Sequence, residues 1–201
     1  MLLKLHSEHI SEQKIHSIVE CLRKGGVIVL PTDTVYAFAC DLMNTKGVER
    51  LTRLSGKKRP DFSFICHDIS QATLYTASLD QPVFKEMKRL FPGPYTIIVK
   101  ASPQVSRLFG TNKKTVGIRI PDNIITRKIA EELGNPLIST SLHDEDTIRD
   151  YMTDPQEMET LFHSKVDLIV DGGIGGNLPS TVIDYTQTEP LLIREGAGAW
   201  K

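Results

Sequence analysis

Thr34, His67, Arg119, Ser141, Ser180 and Arg194 are hydroxyl or cationic residues, and each stands where a short apolar run gives out. Lys57 and Arg59 add a pair of cations one residue apart. Together these groups suit a polyphosphate and a small polar substrate, a chemistry in which positioning and charge neutralisation do most of the work. Other chemistries lack their signatures. No paired carboxylates suggest acid–base hydrolysis, no Gly-x-Ser-x-Gly elbow presents a nucleophile, and no His/Cys cluster has structural zinc spacing. Residues 171–176, Asp-Gly-Gly-Ile-Gly-Gly, lack the spacing and lysine of a phosphate-binding P-loop and are expected to form a flexible turn.

The elements that must carry these residues centre on residues 27–40. Val27–Leu30 is a β-branched apolar run launched by Gly25 and Gly26 and stopped by Pro31, as expected of a buried strand. Thr32, Asp33 and Thr34 follow, either as a solvated Asx-type turn or as a ligand site at a strand end. Before this strand, Ser11 can cap a helix reaching about Lys24, with Ile15, Ile18, Val19 and Leu22 on one face. After it, Asn44 can cap a helix with Val48, Leu51 and Leu54 inward and Arg50, Arg53, Lys57, Lys58 and Arg59 outward or C-terminal. Those cations are either a solvated, dipole-favoured face or a phosphate-binding group.

Strands are expected at residues 62–66, 95–100, 115–120, 136–141, 168–170, 179–184 and 191–194, with helices at 81–91, 124–133 and 155–162. His67 lies at a strand exit, where histidine is commonly structural. An arginine inside an apolar strand is costly unless paired or facing a ligand, so Arg119 is expected in one of those roles. Residues 143–154 are acidic, without apolar period, and are expected to be a mobile loop. Alternating strands and helices argue for one α/β domain, with a parallel or a mixed sheet.

The chain has 201 residues, 40% of them hydrophobic, and a formal net charge of -1. That is enough for one domain with a sizeable core, and any anion site must come from local clustering of charge. No apolar run is long enough to span a bilayer and residues 1–9 lack a signal-peptide apolar region, so a cytoplasmic protein is expected. Three cysteines without CxxC spacing are read as free thiols, with Cys66 in the core and Cys21 inert.

The order and spacing of seven motifs identify a family. They are Pro-Thr-Asp-Thr-Val-Tyr (31–36), Gly-Lys-Lys-Arg-Pro (56–60), Phe-Pro-Gly-Pro-Tyr-Thr (91–96), Thr-Val-Gly-Ile-Arg-Ile-Pro (115–121), Ser-Thr-Ser (139–141), Pro-Ser-Thr-Val-Ile-Asp (179–184) and Ile-Arg-Glu-Gly (193–196). With these the chain resembles the YrdC/YciO family over nearly its whole length. The resemblance implies a single domain, 1–201, with a twisted mixed β-sheet flanked by helices and a concave basic cleft. It implies synthesis of threonylcarbamoyl-AMP from L-threonine, bicarbonate and ATP, with pyrophosphate released and Mg²⁺ on the phosphates, in the service of a tRNA modification.

Residue by residue, the resemblance places Thr34, His67, Arg119, Ser141 and Ser180 on the threonine side. Arg119 would pair the carboxylate as a fork. Lys57, Arg59, Thr115 and Arg194 fall on the ATP side, with Lys57 and Arg59 neutralising the phosphates as the catalytic cations. Ser63 and His143 occupy nucleotide-side positions where the family pattern has asparagine nearby. Ala37, the Ser141-Leu142-His143 triplet and the acidic stretch depart from the synthase pattern and resemble the YciO branch. They leave an alternative of another class: a protein that binds nucleotide or double-stranded RNA without efficient synthesis. A monomer or a homodimer fits either reading.

Overall fold

Local signals set most element boundaries. Ser11, Asn44, Asp68, Asn123 and Asp154 each occupy a helix N-cap position and accept a backbone N–H with their side chains. Gly134 closes one helix in the left-handed conformation at φ 83°, where a side chain would be strained. The computed structural model describes residues 1–56, 62–109, 114–142 and 151–200.

In chain order the described elements are β1 (Leu2–Lys4), α1 (Glu12–Arg23), β2 (Val27–Leu30), β3 (Ala37–Asp41), α2 (Thr45–Leu54), β4 (Ser63–Ile65), α3 (Ile69–Thr73), α4 (Gln81–Leu90), β5 (Tyr95–Lys100), α5 (Pro103–Phe109), β6 (Thr115–Arg119), α6 (Ile124–Leu133), β7 (Leu137–Ser141), α7 (Pro155–Phe162), β8 (Leu168–Asp171), β9 (Thr181–Asp184) and β10 (Leu191–Arg194). The strands form one 10-stranded sheet in the order β1-β8-β2-β3-β7-β4-β6-β5-β9-β10. β8 pairs parallel with β1 and β2, as do β4 with β6 and β5 with β9; the remaining pairings are antiparallel. The fold is therefore a single mixed α/β domain, which resolves the choice between a parallel and a mixed sheet.

β1, β3, α3 and α5 were not among the elements expected. They run for 3, 5, 5 and 7 residues, too short to show a hydrophobic period, and β3 is buried throughout, so it shows no alternation.

All four residues of β2 are buried because the sheet is covered on both faces. Ile28 and Leu30 pack with Ile15, Ile18 and Leu22 of α1 and with Ile125 and Ile129 of α6. Val27 and Val29 face the other layer, with Phe64, Met87, Ile97 and Ile118. A turn leaving β2 is thus rooted in the buried core.

Residues 171–176 are tied down rather than free. The Tyr36 hydroxyl donates to the Gly173 carbonyl at 2.7 Å and accepts the Gly172 N–H at 3.1 Å. The Gly175 N–H donates to the Thr153 carbonyl at 2.8 Å. Residues 143–150 of the expected acidic loop lie outside the described residues, but its end is ordered by packing: Met152 is buried and Asp154 caps α7.

Candidate functional site

Pro31 cannot continue the ladder of β2, and its free carbonyl accepts the hydroxyl of Thr126 on α6. This docks the polar turn against the junction of β6 and α6. There Asp33 meets two partners. Its Oδ1 accepts from Arg119 Nη2 at 3.1 Å and its Oδ2 accepts the Asp122 N–H at 3.0 Å. Arg119 Nη2 also donates to Thr34 Oγ1 at 2.9 Å.

The ion pair is buried, with side chains 5% and 9% exposed. Both N–H bonds of Nη2 are spent inside the protein, while Arg119 Nε is buried without a partner. Arg119 is thus paired, one of the two roles expected of an arginine in an apolar strand, and Nη2, one arm of the carboxylate fork that the resemblance implies, is already committed to Asp33 and Thr34. Burial weighs against its charge, Asp33 restores part of it, and the positive charge of Arg194 weighs against it again.

Arg194, on β10, belongs to a second cluster. Its Nη2 donates to the Ser180 carbonyl at 2.8 Å and to Ser180 Oγ at 3.2 Å. Ser180 Oγ lies 2.7 Å from Thr96 Oγ1. Thr181 next door is fully buried and accepts the N–H groups of Gly196 and Gly198, which folds the chain after β10 back onto β9. The β5–β9 register sets Thr96 opposite Val182, and Ser180, two residues earlier, is its diagonal neighbour within hydrogen-bond reach. Gly117 leaves room beside them: a Cβ there would stand 3.3 Å from the Thr96 methyl and 3.4 Å from Ser63 Oγ. Arg119 and Arg194 lie close enough to repel, with Asp33 the carboxylate acting on the first. Such a pair of guanidiniums among hydroxyls can hold an anion.

Ser63 sits opposite both Gly117 and Ser139, whose hydroxyl donates to the Ser63 carbonyl at 3.2 Å. Ser141 ends β7 opposite Ala37, and Thr115 begins β6, exposed, opposite Lys100. His67 has its backbone N–H bonded to Gln71 Oε1 and its Nε2 3.4 Å from Asp68 Oδ1, with Nδ1 buried and unpartnered. Among the described residues, no hydrogen bond or ion pair joins His67, Ser141 or Thr115 to either guanidinium cluster. Lys57, Arg59 and His143 lie outside the described residues.

On α2 the cations have structural work. Arg50 binds Asp167 at 2.7 Å and the Gly25 carbonyl at 3.1 Å, and Arg53 lies 3.9 Å from Glu49. Cys66 is in the core as expected, and burial pushes its thiol well above the ordinary range. Thr32 and Asp33 were expected only as members of a polar turn that could hold a ligand, without roles of their own, and Thr96 and Thr181 were not singled out. The signal for Asp33 was present, since a buried Arg119 requires a carboxylate.

The fold and the two guanidinium–hydroxyl clusters, that of Arg119 buried and that of Arg194 half-buried, define a mixed α/β domain with groups able to bind an anionic small molecule. Residues 20–196 match the Sua5/yciO/yrdC family model, described as "Telomere recombination". The chain belongs to this family. Escherichia coli K12 YciO, an uncharacterized protein, is 39% identical over 201 residues, covering 96% of this chain and 94% of its own. Its crystal structure superposes with a TM-score of 0.89 over 99% of this chain and 97% of that one. The threonylcarbamoyl-AMP synthase of Pyrococcus abyssi is 31% identical over 194 residues, 94% of this chain and 56% of the synthase. The crystal structure of P. abyssi Sua5 complexed with L-threonine gives a TM-score of 0.86 at 27% identity, over 98% of this chain and 57% of that one.

Proposed function

We propose that this protein forms threonylcarbamoyl-AMP from L-threonine, bicarbonate and ATP. The amine of threonine attacks the carbon of carbon dioxide, formed from bicarbonate with loss of water, and gives a carbamate. A carbamate oxygen then attacks the α-phosphorus, and pyrophosphate leaves. No protein nucleophile is required. The observation that carries this reading is the buried cluster of Thr34, Asp33 and Arg119 with Ser180, Thr96 and Arg194 close by. The kinship with named threonylcarbamoyl-AMP synthases supports it.

In this reading Thr34, His67, Arg119, Ser141 and Ser180 serve the amino acid. Arg119 meets its carboxylate through N–H groups other than Nη2. Lys57, Arg59, Ser63, Thr115, His143 and Arg194 serve the nucleotide. Among the described residues no group of three or more His, Cys, Asp or Glu could hold a metal. In this reading Mg²⁺ would accompany the nucleotide phosphates and neutralise part of their charge.

The test is incubation of the protein with ATP, Mg²⁺, L-threonine and labelled bicarbonate. We expect label in a threonylcarbamoyl-AMP product, threonine-dependent pyrophosphate release, and loss of both in Arg59→Ala. ATP binding without product would refute synthesis and leave a nucleotide-binding role.

A further inference from the structure

The Thr32–Thr34 pair has a hydrogen-bond polarity that its contacts determine. Thr32 Oγ1 lies 2.7 Å from the Val35 carbonyl oxygen, which can only accept, so the Thr32 proton points there. Thr32 then has two lone pairs left. One takes the Thr34 N–H at 3.1 Å. The other faces Thr34 Oγ1 at 3.0 Å, and since Thr32 has no second proton, Thr34 must be the donor in that contact. Every hydrogen-bonding capacity of Thr32 is used.

Thr34 inherits the consequence. Its proton is committed to Thr32, and one lone pair accepts Arg119 Nη2 at 2.9 Å. What remains is a lone pair, so toward any further group Thr34 is an acceptor. The chain of hydroxyls ends at the Val35 carbonyl, which has no proton to pass on, so it cannot carry a proton away from the ligand. The main chain cannot rotate the residue out of this state easily, because Gly176 packs directly on the Thr34 carbonyl, with no room for a Cβ.

We propose that Thr32 is a positioning residue that fixes the hydroxyl proton of Thr34, so that the site offers Thr34 as an acceptor and selects a substrate with an amine at that point. This rests on the proposed synthase reading, in which the amine is the first nucleophile. Thr34 accepts one N–H of the ammonium of the bound zwitterion; once the ammonium has lost a proton to solvent, the amine keeps an N–H on Thr34 and has its lone pair free to attack. The carboxylate end is served by Arg119 in this reading, so the two ends of the zwitterion are distinguished.

The decisive measurement is calorimetric binding of L-threonine and of 3-hydroxybutyrate, which lacks the amine, to the full chain and to Thr32→Val and Thr32→Ser. The parent protein and Thr32→Ser should prefer L-threonine, and Thr32→Val should lose about tenfold of that preference, with ATP affinity as the control for folding. An unchanged preference in Thr32→Val, or an equal loss for both ligands, overturns the proposal. Neutron diffraction of the ligand-free protein reads the same inference without any substrate. Deuterium should lie between Thr32 and the Val35 carbonyl and between Thr34 and Thr32. A Thr34 deuteron directed away from Thr32 overturns the proposal even where the synthase reading holds, and absence of L-threonine binding with the deuterons in place refutes the synthase reading alone.

Discussion

Removing the carboxylate of Asp33 should be among the most damaging single changes in the molecule. In Asp33→Ala, Arg119 keeps its contact to Thr34 but loses its counter-charge in an environment where the pair is 5% and 9% exposed. The Asp122 N–H loses its acceptor as well. An uncompensated charge left by breaking a buried pair costs about 3–5 kcal/mol. For a domain of this size that corresponds to a fall in Tm of roughly 6–20 °C. Replacing both partners by apolar groups of similar shape leaves no orphaned charge, so Asp33→Ala with Arg119→Met should recover much of the loss. Scanning calorimetry of the two single variants and the double variant measures the coupling. Because the pair is buried, added salt should change it little. A loss below about 1 kcal/mol in Asp33→Ala, the size found for exposed pairs, would show that the guanidinium is solvated in solution and that the cluster is not held as described.

Tyr36→Phe removes the hydroxyl that joins Gly172 and Gly173, and should cost about 1–3 kcal/mol in denaturant titration while making residues 171–176 more sensitive to protease. Burial pushes the Tyr36 phenol up from 10.0 to about 12. A raised folded pKa is stabilising below the unfolded value and the stability is lost as pH climbs through the folded one, so the parent should lose stability between pH 10.0 and about 12 and Tyr36→Phe should lose less there. Gly176→Ala puts a methyl group onto the Thr34 carbonyl and should depress adenylate formation more than ATP binding, measured by labelled bicarbonate and calorimetry respectively. Burial pushes the Cys40 thiol up to about 12 and also raises that of Cys66, so iodoacetamide at pH 8 should leave both unmodified in the folded protein and alkylate them only after unfolding, as mass spectrometry will show.

The elements legible in the sequence were those whose boundaries are chemical. Gly25 and Pro31 bracket β2, Gly134 closes α6, and Pro155 opens α7, each with a backbone reason that acts within a few residues. Glycine misled where it served contact instead of flexibility. The residues 171–176 looked free, yet a Cβ on Gly172 would stand 2.8 Å from Pro31 Cγ and one on Gly175 2.6 Å from the Tyr36 ring. These glycines exist so that the turn can lie flush against residues 31–36, and composition alone does not separate that use from flexibility. Thr96 and Thr181 were hidden for a similar reason, since threonine is a good strand former whether or not its hydroxyl has a partner.

Arg119 shows where legibility stops. Its type and its apolar strand announced that a counter-charge or a ligand was needed, but not which. The sequence separation between Arg119 and Asp33 is 86 residues, and the two meet only because α6 receives the carbonyl of Pro31 and draws the turn to the end of β6. That contact turns an open fork into a guanidinium with one nitrogen already committed. It also explains why the first motif carries an acid between two threonines. Asp33 holds the cation, Thr34 shares it, and Thr32 sets the proton that decides what Thr34 can accept. The three positions act as one device, and any ligand bound there meets the polarity of the set, not of a single residue.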